Sequence, residues 1–220
     1  MKKLILLIST LTLSVFSSYA QDQDPKAKAI LDDLSKVTKA YKTITSEYIF
    51  TILNKDKKQT EKQTGKVFVK GFKFKLEIPG NTIVCDGKTI WAHNKDANEV
   101  TVKNFDANNE DQLNPSKIFT MYETGFKYKY EKEEKVGAAL CHVIILYPSV
   151  KPEKKKFHTV KIFVDKTKKQ VARLMMMMKD GTTQTYDIKT YKPNVEISDN
   201  VFVFDLKPFK ADQITDEREL

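Results

Sequence analysis

Apolar and charged positions alternate through the stretch from Gly65 to Val102. Phe72, Phe74, Leu76 and Ile78 are separated by Lys73, Lys75 and Glu77. Successive side chains of a strand point to opposite faces, so this spacing predicts one greasy face and one wet face. A strand from Gly65 to Lys70 precedes it, and an Asp86-Gly87 turn leads to a strand through Trp91. Earlier in the chain the period is helical. Asp24-Pro25 places a capping side chain before a proline at the first helical position. Ala27, Ile30, Leu31, Leu34, Val37 and Tyr41 then recur at three- and four-residue steps, which predicts one amphipathic helix of about four turns.

From Ser46 onward the pattern is that of strands. Tyr48, Phe50 and Ile52 share one parity and lead into a charged hairpin loop over 55–62. Further strands are expected at 99–103, 126–131, 140–147, 157–165, 170–178 and 183–191, with a last short run at 201–204. Asp180-Gly181, like Asp86-Gly87, suits a short hairpin turn because both residue types tolerate positive φ. Most neighbouring strands should therefore pair antiparallel. A second, shorter helix is expected from Asn114-Pro115-Ser116, carrying Ile118, Phe119, Met121 and Tyr122. The fold class is mainly β (α+β). About ten or eleven strands cannot stay flat, and two helices are too few to cover a flat sheet of that size, so they belong on the hollow side of a curled one.

Residues 1–20 stand apart. Lys2 and Lys3 precede an apolar run from Leu4 to Phe16 and then Ser18-Tyr19-Ala20, the arrangement of a cleavable export signal. The run is shorter than the ~20 residues that a spanning helix needs. The expectation is an exported, soluble protein beginning near Gln21, with no cysteine at the cleavage point to carry a lipid. Residues 21–220 are expected to form a single domain, since all-β domains run to roughly 200–250 residues.

The formal charge of +9 becomes +7, from 36 basic and 29 acidic residues, once Lys2 and Lys3 leave with the signal. The lysines are scattered over loops and alternate strand positions, which argues against nucleic acid. The densest run, Lys151, Lys154, Lys155 and Lys156 with Pro152 and Glu153, reads as a loop tip: a solvated face or a docking patch for an anionic membrane surface or a partner. Cys85 and Cys141 are about four strand steps apart at ~4.8 Å each, beyond the reach of a disulfide unless the sheet curls back. Two buried free thiols are expected.

Catalytic signatures are absent. The sequence has no Gly-x-Ser-x-Gly elbow, Gly-x-Gly-x-x-Gly, P-loop or His-Glu-x-x-His. His93, His142 and His158 fall on three separate strands, which predicts no metal site, and Asp187 reads as an outward strand residue. Neither an enzyme nor a cofactor is expected. Apolar lining is what the chain has in excess: Leu174-Met175-Met176-Met177-Met178 places adaptable thioethers on both faces of one strand. Such a strand serves as core or as the wall of a closable pocket for acyl chains, together with Phe72, Phe74, Leu76 and Ile78, and with Ile30 and Leu34 from the helix.

Gly65-Lys66-Val67-Phe68-Val69-Lys70, the aromatic strand, Val84-Cys85-Asp86-Gly87-Lys88-Thr89-Ile90-Trp91, the Asn114-Pro115 helix and Ile197-Ser198-Asp199-x-x-Phe202-x-Phe204 follow in order. This series resembles the LolA family of periplasmic lipoprotein carriers. The resemblance implies an incomplete β-barrel whose mouth is lidded by helices around an apolar cavity. It implies, as partners, acylated lipoproteins, an inner-membrane lipoprotein-releasing ABC transporter complex and an outer-membrane acceptor, with the carrier itself a monomer. An aromatic at the Phe74 position belongs to the cavity wall in that family. The lining expected here is Ile30, Leu34, Tyr48, Phe50, Ile52, Phe72, Phe74, Leu76, Ile78, Phe119, Met175 and Met177. Trp91 reads as structural. One departure concerns the lid: an arginine that often follows the Val-Lys of the second strand is Gly71 here, with Lys70 and Lys73 facing outward by parity. The alternative role on the same half-barrel is a regulatory module that senses lipid or stray lipoprotein.

Overall fold

The computed structural model describes residues 23–54, 59–78, 80–107, 115 and 121–218. Asp24 starts helix α1 (Pro25–Lys39), its Oδ1 accepting the N–H groups of Lys26 at 2.8 Å and Ala27 at 3.2 Å. The other carboxylate oxygen accepts the Tyr130 N–H at 3.0 Å, and the Asp24 N–H donates to the Tyr128 carbonyl at 3.2 Å. Burial pushes the Asp24 carboxyl up, but the hydrogen bonds from Tyr130, Ala27 and Lys26 outweigh it and the net shift is downward. One side chain thus caps the helix and ties it to the sheet.

Twelve strands follow: β1 (Thr43–Asn54), β2 (Gln59–Lys70), β3 (Lys73–Ile78), β4 (Asn81–Cys85), β5 (Thr89–Asn94), β6 (Glu99–Asn104), β7 (Phe126–Val136), β8 (Ala139–Pro148), β9 (Phe157–Asp165), β10 (Val171–Met178), β11 (Thr182–Pro193) and β12 (Ile214–Asp216). They form one open, curled sheet in the order β12-β6-β5-β4-β3-β2-β1-β11-β10-β9-β8-β7. Two antiparallel meanders, β1–β6 and β7–β11, are joined at the centre by β1 and β11. Asp86 holds the β4–β5 turn by accepting the Lys88 and Thr89 N–H groups, both at 2.8 Å, beside Gly87 at φ +96°.

One expectation needs correction at the C-terminus. Residues 201–204 are not a strand: Ser198 caps a 3₁₀ turn, Asp199–Phe202, and Phe202 is buried. The strand there is β12, which runs parallel to β6. Its three residues are too few to show a period. The C-terminal segment covers the outer face of the β4–β6 wing, where Trp91 and the Phe204 ring stack 6.3 Å apart and Phe209 meets His93 at 5.0 Å. Lys70 and Lys73 do face outward, and both grip Asp199 of this segment, at 3.0 and 3.3 Å.

Helix α1 packs its buried Ala27, Leu31 and Leu34 on the β7–β9 wing, against Ile144, Leu146 and Ile162. Tyr122, in the 3₁₀ turn Met121–Glu123, donates to Asp32 at 3.0 Å, and Glu123 accepts from Ser35 at 3.0 Å and Lys39 at 2.7 Å. Apart from Pro115, the rest of the expected mid-chain helix, including Ile118 and Phe119, lies outside the described residues, as do residues 1–20 and 55–58. The expected loop ends sooner than 62, because 59–62 already pair with β1 as the start of β2. Both thiols are free and buried, Cys85 on the inner face and Cys141 in a small outer cluster with Val143 and Phe163. Burial pushes the Cys85 thiol up to about 11.

Candidate ligand cavity

A cavity of about 340 Å³ opens on the inner face of the sheet. Leu76 and Ile78 of β3 line one side, and Phe157 and Val160 of β9 line the other. These strands stand five ladder steps apart, roughly 24 Å on a flat sheet at ~4.8 Å per step. They share one hollow because the sheet curls. Between them β1 supplies Ile44, Ser46 and Tyr48, and β2 supplies Val67 and Val69. Strand β10 gives Val171, Leu174 and Met176, and β11 gives Tyr186, Ile188 and Tyr191, with Pro115 completing the wall. None of these sixteen residues is charged.

The floor rests on a close approach. Gly65 faces Tyr48 across the β1–β2 ladder, and the Tyr48 ring crosses it to donate its hydroxyl to the Glu77 carbonyl of β3 at 3.2 Å. A methyl group at residue 65 would collide with the Tyr48 ring and lie 2.6 Å from that carbonyl oxygen. Gly65→Ala is expected to lower stability by about 1–3 kcal/mol through overpacking. Urea denaturation checks this, and an unchanged midpoint would mean the ring swings aside freely. Burial pushes the Tyr48, Tyr186 and Tyr191 phenols upward, so each stays protonated near neutral pH. The described lining carries no charged side chain; Ser46 Oγ donates to the Thr190 carbonyl at 2.8 Å, and the Tyr186 hydroxyl donates to Gln184 Oε1 at 3.5 Å. Among the described residues no group of three or more His, Cys, Asp or Glu is arranged to hold a metal. Asp187 pairs with Arg173 at 2.6 Å.

Of the residues expected to line the hollow, Tyr48, Leu76 and Ile78 do so. Phe50 and Ile52 continue β1 beyond it, with Phe50 packed 4.9 Å from the Tyr186 ring. Four placements differ from expectation for identifiable reasons. Phe72 sits in the β2–β3 turn, not in the strand, and is 63% exposed. Phe74 is on the inner face but fully buried, closed off by Phe105 with ring centroids 6.1 Å apart. Leu34 and Ile30 spend the helix stripe on the β7–β9 wing, so α1 flanks the hollow without lining it. Met175 and Met177 point outward, opposite Thr185 and Thr183, while Leu174 and Met176 face in. Phe119 lies outside the described residues.

A half-closed sheet around an uncharged apolar hollow defines a class of binding and carrier proteins for greasy ligands. The sequence model of the family described as outer membrane lipoprotein carrier protein LolA matches residues 39–205. The chain belongs to that family. An uncharacterized protein of Methanocaldococcus jannaschii is 32% identical over 149 residues, 66% of this chain. The match spans 42% of that relative's length. Among solved structures, the fold is similar to an uncharacterized conserved protein from Thermus thermophilus, with a TM-score of 0.57 at 12% identity over 87% of this chain and 99% of that one. A LolA superfamily protein from Nitrosomonas europaea gives a TM-score of 0.44 at 11% identity over 81% and 97% of the two chains.

Proposed function

We infer that this protein is a periplasmic carrier that takes the acyl chains of lipoproteins into its hollow and moves them from an inner-membrane ABC release complex to an outer-membrane acceptor. Residues 1–20 are its export signal, and residues 21–220 act as one carrier domain. The observation that carries the reading is the uncharged apolar hollow in a chain of this family. Each methylene withdrawn from a membrane costs roughly 0.8 kcal/mol in water, so only a cavity of comparable apolarity lets an acyl chain cross. At about 340 Å³ the hollow lies near the lower end of the roughly 300–1,000 Å³ typical of ligand pockets. It fits part of a triacylated anchor as it stands and must widen for the rest. Half-buried Met176 on its wall has the torsional freedom to yield.

The test is a photo-crosslinking residue in place of Met176, activated in cells and followed by mass analysis of what is trapped. Acylated lipoproteins are the expected product. A single membrane signalling protein would favour the sensor role instead, and recovery of only hydrophilic products would remove the carrier reading.

A further inference from the structure

We propose that the loop between β8 and β9, residues 149–156, docks the protein on an anionic phospholipid bilayer with the cavity rim facing the membrane. The loop carries Lys151, Lys154, Lys155 and Lys156, and Lys179 of the adjoining β10–β11 turn joins them. Against these five lysines the loop and that turn hold two acidic residues, Glu153 and Asp180. Among the described residues no carboxylate pairs with Lys151, Lys154 or Lys156, all of which are exposed.

The loop has a defined shape. Lys179 Nζ donates to the carbonyls of Pro152 at 2.7 Å and Glu153 at 3.1 Å, and its backbone N–H donates to the Lys156 carbonyl at 2.9 Å. At the other end the Gly125 carbonyl accepts the N–H groups of Ser149 at 2.8 Å and Val150 at 3.4 Å. The lysines are therefore presented on a fixed platform, and less ordering entropy is lost on docking.

Two features favour a bilayer over an acidic protein. Val150 and Tyr147 beside the lysines are 46% and 42% exposed, an aliphatic and an amphipathic aromatic side chain suited to the headgroup boundary. The cluster is also entirely lysine, a hydrated point charge suited to diffuse attraction, with none of the arginine forks that recognise carboxylates bidentately. The loop runs directly into Phe157, which lines the hollow and stacks on Phe126 at 6.3 Å. Docking through this loop would bring the cavity wall to the surface where acyl chains enter or leave. The proposal stands whether the hollow takes lipoprotein anchors or other lipids.

Each lysine near an anionic surface raises partitioning by about fivefold. Sedimentation of the purified protein with vesicles of phosphatidylcholine alone, or with about a third phosphatidylglycerol, reads this directly. Binding is expected only to the anionic vesicles and should fade at high salt. The K151Q/K154Q/K156Q variant should bind about a hundredfold more weakly. The charge-matched K36Q/K42Q/K192Q variant, altered on exposed lysines elsewhere, should bind as wild type does. Retained far-UV circular dichroism and probe binding in the hollow would show both variants folded. Equal loss in the two variants, or no preference for anionic vesicles, overturns the proposal. So does a loop that ignores vesicles but binds an acidic peptide, which would make the partner a protein.

Discussion

Phe74→Ala is expected to destabilise the fold by about 3–5 kcal/mol, while Phe72→Ala should change it by no more than about 0.5 kcal/mol. The two phenylalanines are two residues apart and share the same sequence pattern. Phe74 has no exposed surface and fills the end of the inner face with Cys85, Ile90, Ile44 and Val69. Its removal leaves a cavity that rigid strands on either side cannot close. Phe72 keeps most of its surface in water and meets Phe105 at 6.4 Å, so its loss removes little packing. Equilibrium urea denaturation separates the two, and a drop below about 1 kcal/mol for Phe74→Ala would contradict its place in the core. Phe74→Glu is correspondingly a poor probe of ligand binding, because a carboxylate at a fully buried position would cost the fold before it reported on the cavity.

This pair also shows how far the sequence could be read. Alternation placed Phe74, Leu76 and Ile78 on one face, and the structure keeps them there; a two-residue period says nothing about where along the strand the hollow begins. Gly71 forms the β2–β3 turn with φ +60° and draws Phe72 out of the strand. The methionine run gave no parity at all, since four consecutive identical side chains cannot mark which face is inner. Register decides it: Met176 pairs with Gln184 and Val160, while Met175 pairs with Thr185 and Lys161. Tyr186, Ile188 and Tyr191 were missed because the step from 188 to 191 breaks a strict alternation. A register shift in the β1–β11 ladder between Glu47 and Tyr48 restores the facing. Val67 and Val69 were within reach: with Gly65 opposite Tyr48, both fall on the Tyr48 face. The helix was legible as a helix, but its apolar stripe could not say which wing of the sheet it would cover.

Leu76→Glu is expected to lower the affinity for a fluorescent fatty-acyl probe by at least about a hundredfold while leaving far-UV circular dichroism unchanged. Leu76 is half-buried and lines the hollow between Val67 and Ile83, its ladder partners on either side. In the empty protein the new carboxylate can keep water, since the cavity holds about 340 Å³ of space. A bound acyl chain would strip that water away with no cation among the described lining residues to replace it. The penalty falls on the complex and spares the fold. Its sign with pH follows: apolar surroundings raise the pKa of an introduced carboxyl, so the complex suffers most at high pH and recovers as pH falls through that raised value. A Leu76→Gln variant, polar but without a charge to titrate, should bind weakly with no such recovery. Displacement titrations of the two variants between roughly pH 5 and pH 8 read this difference. Wild-type affinity in a folded Leu76→Glu protein would place the acyl site somewhere other than this hollow.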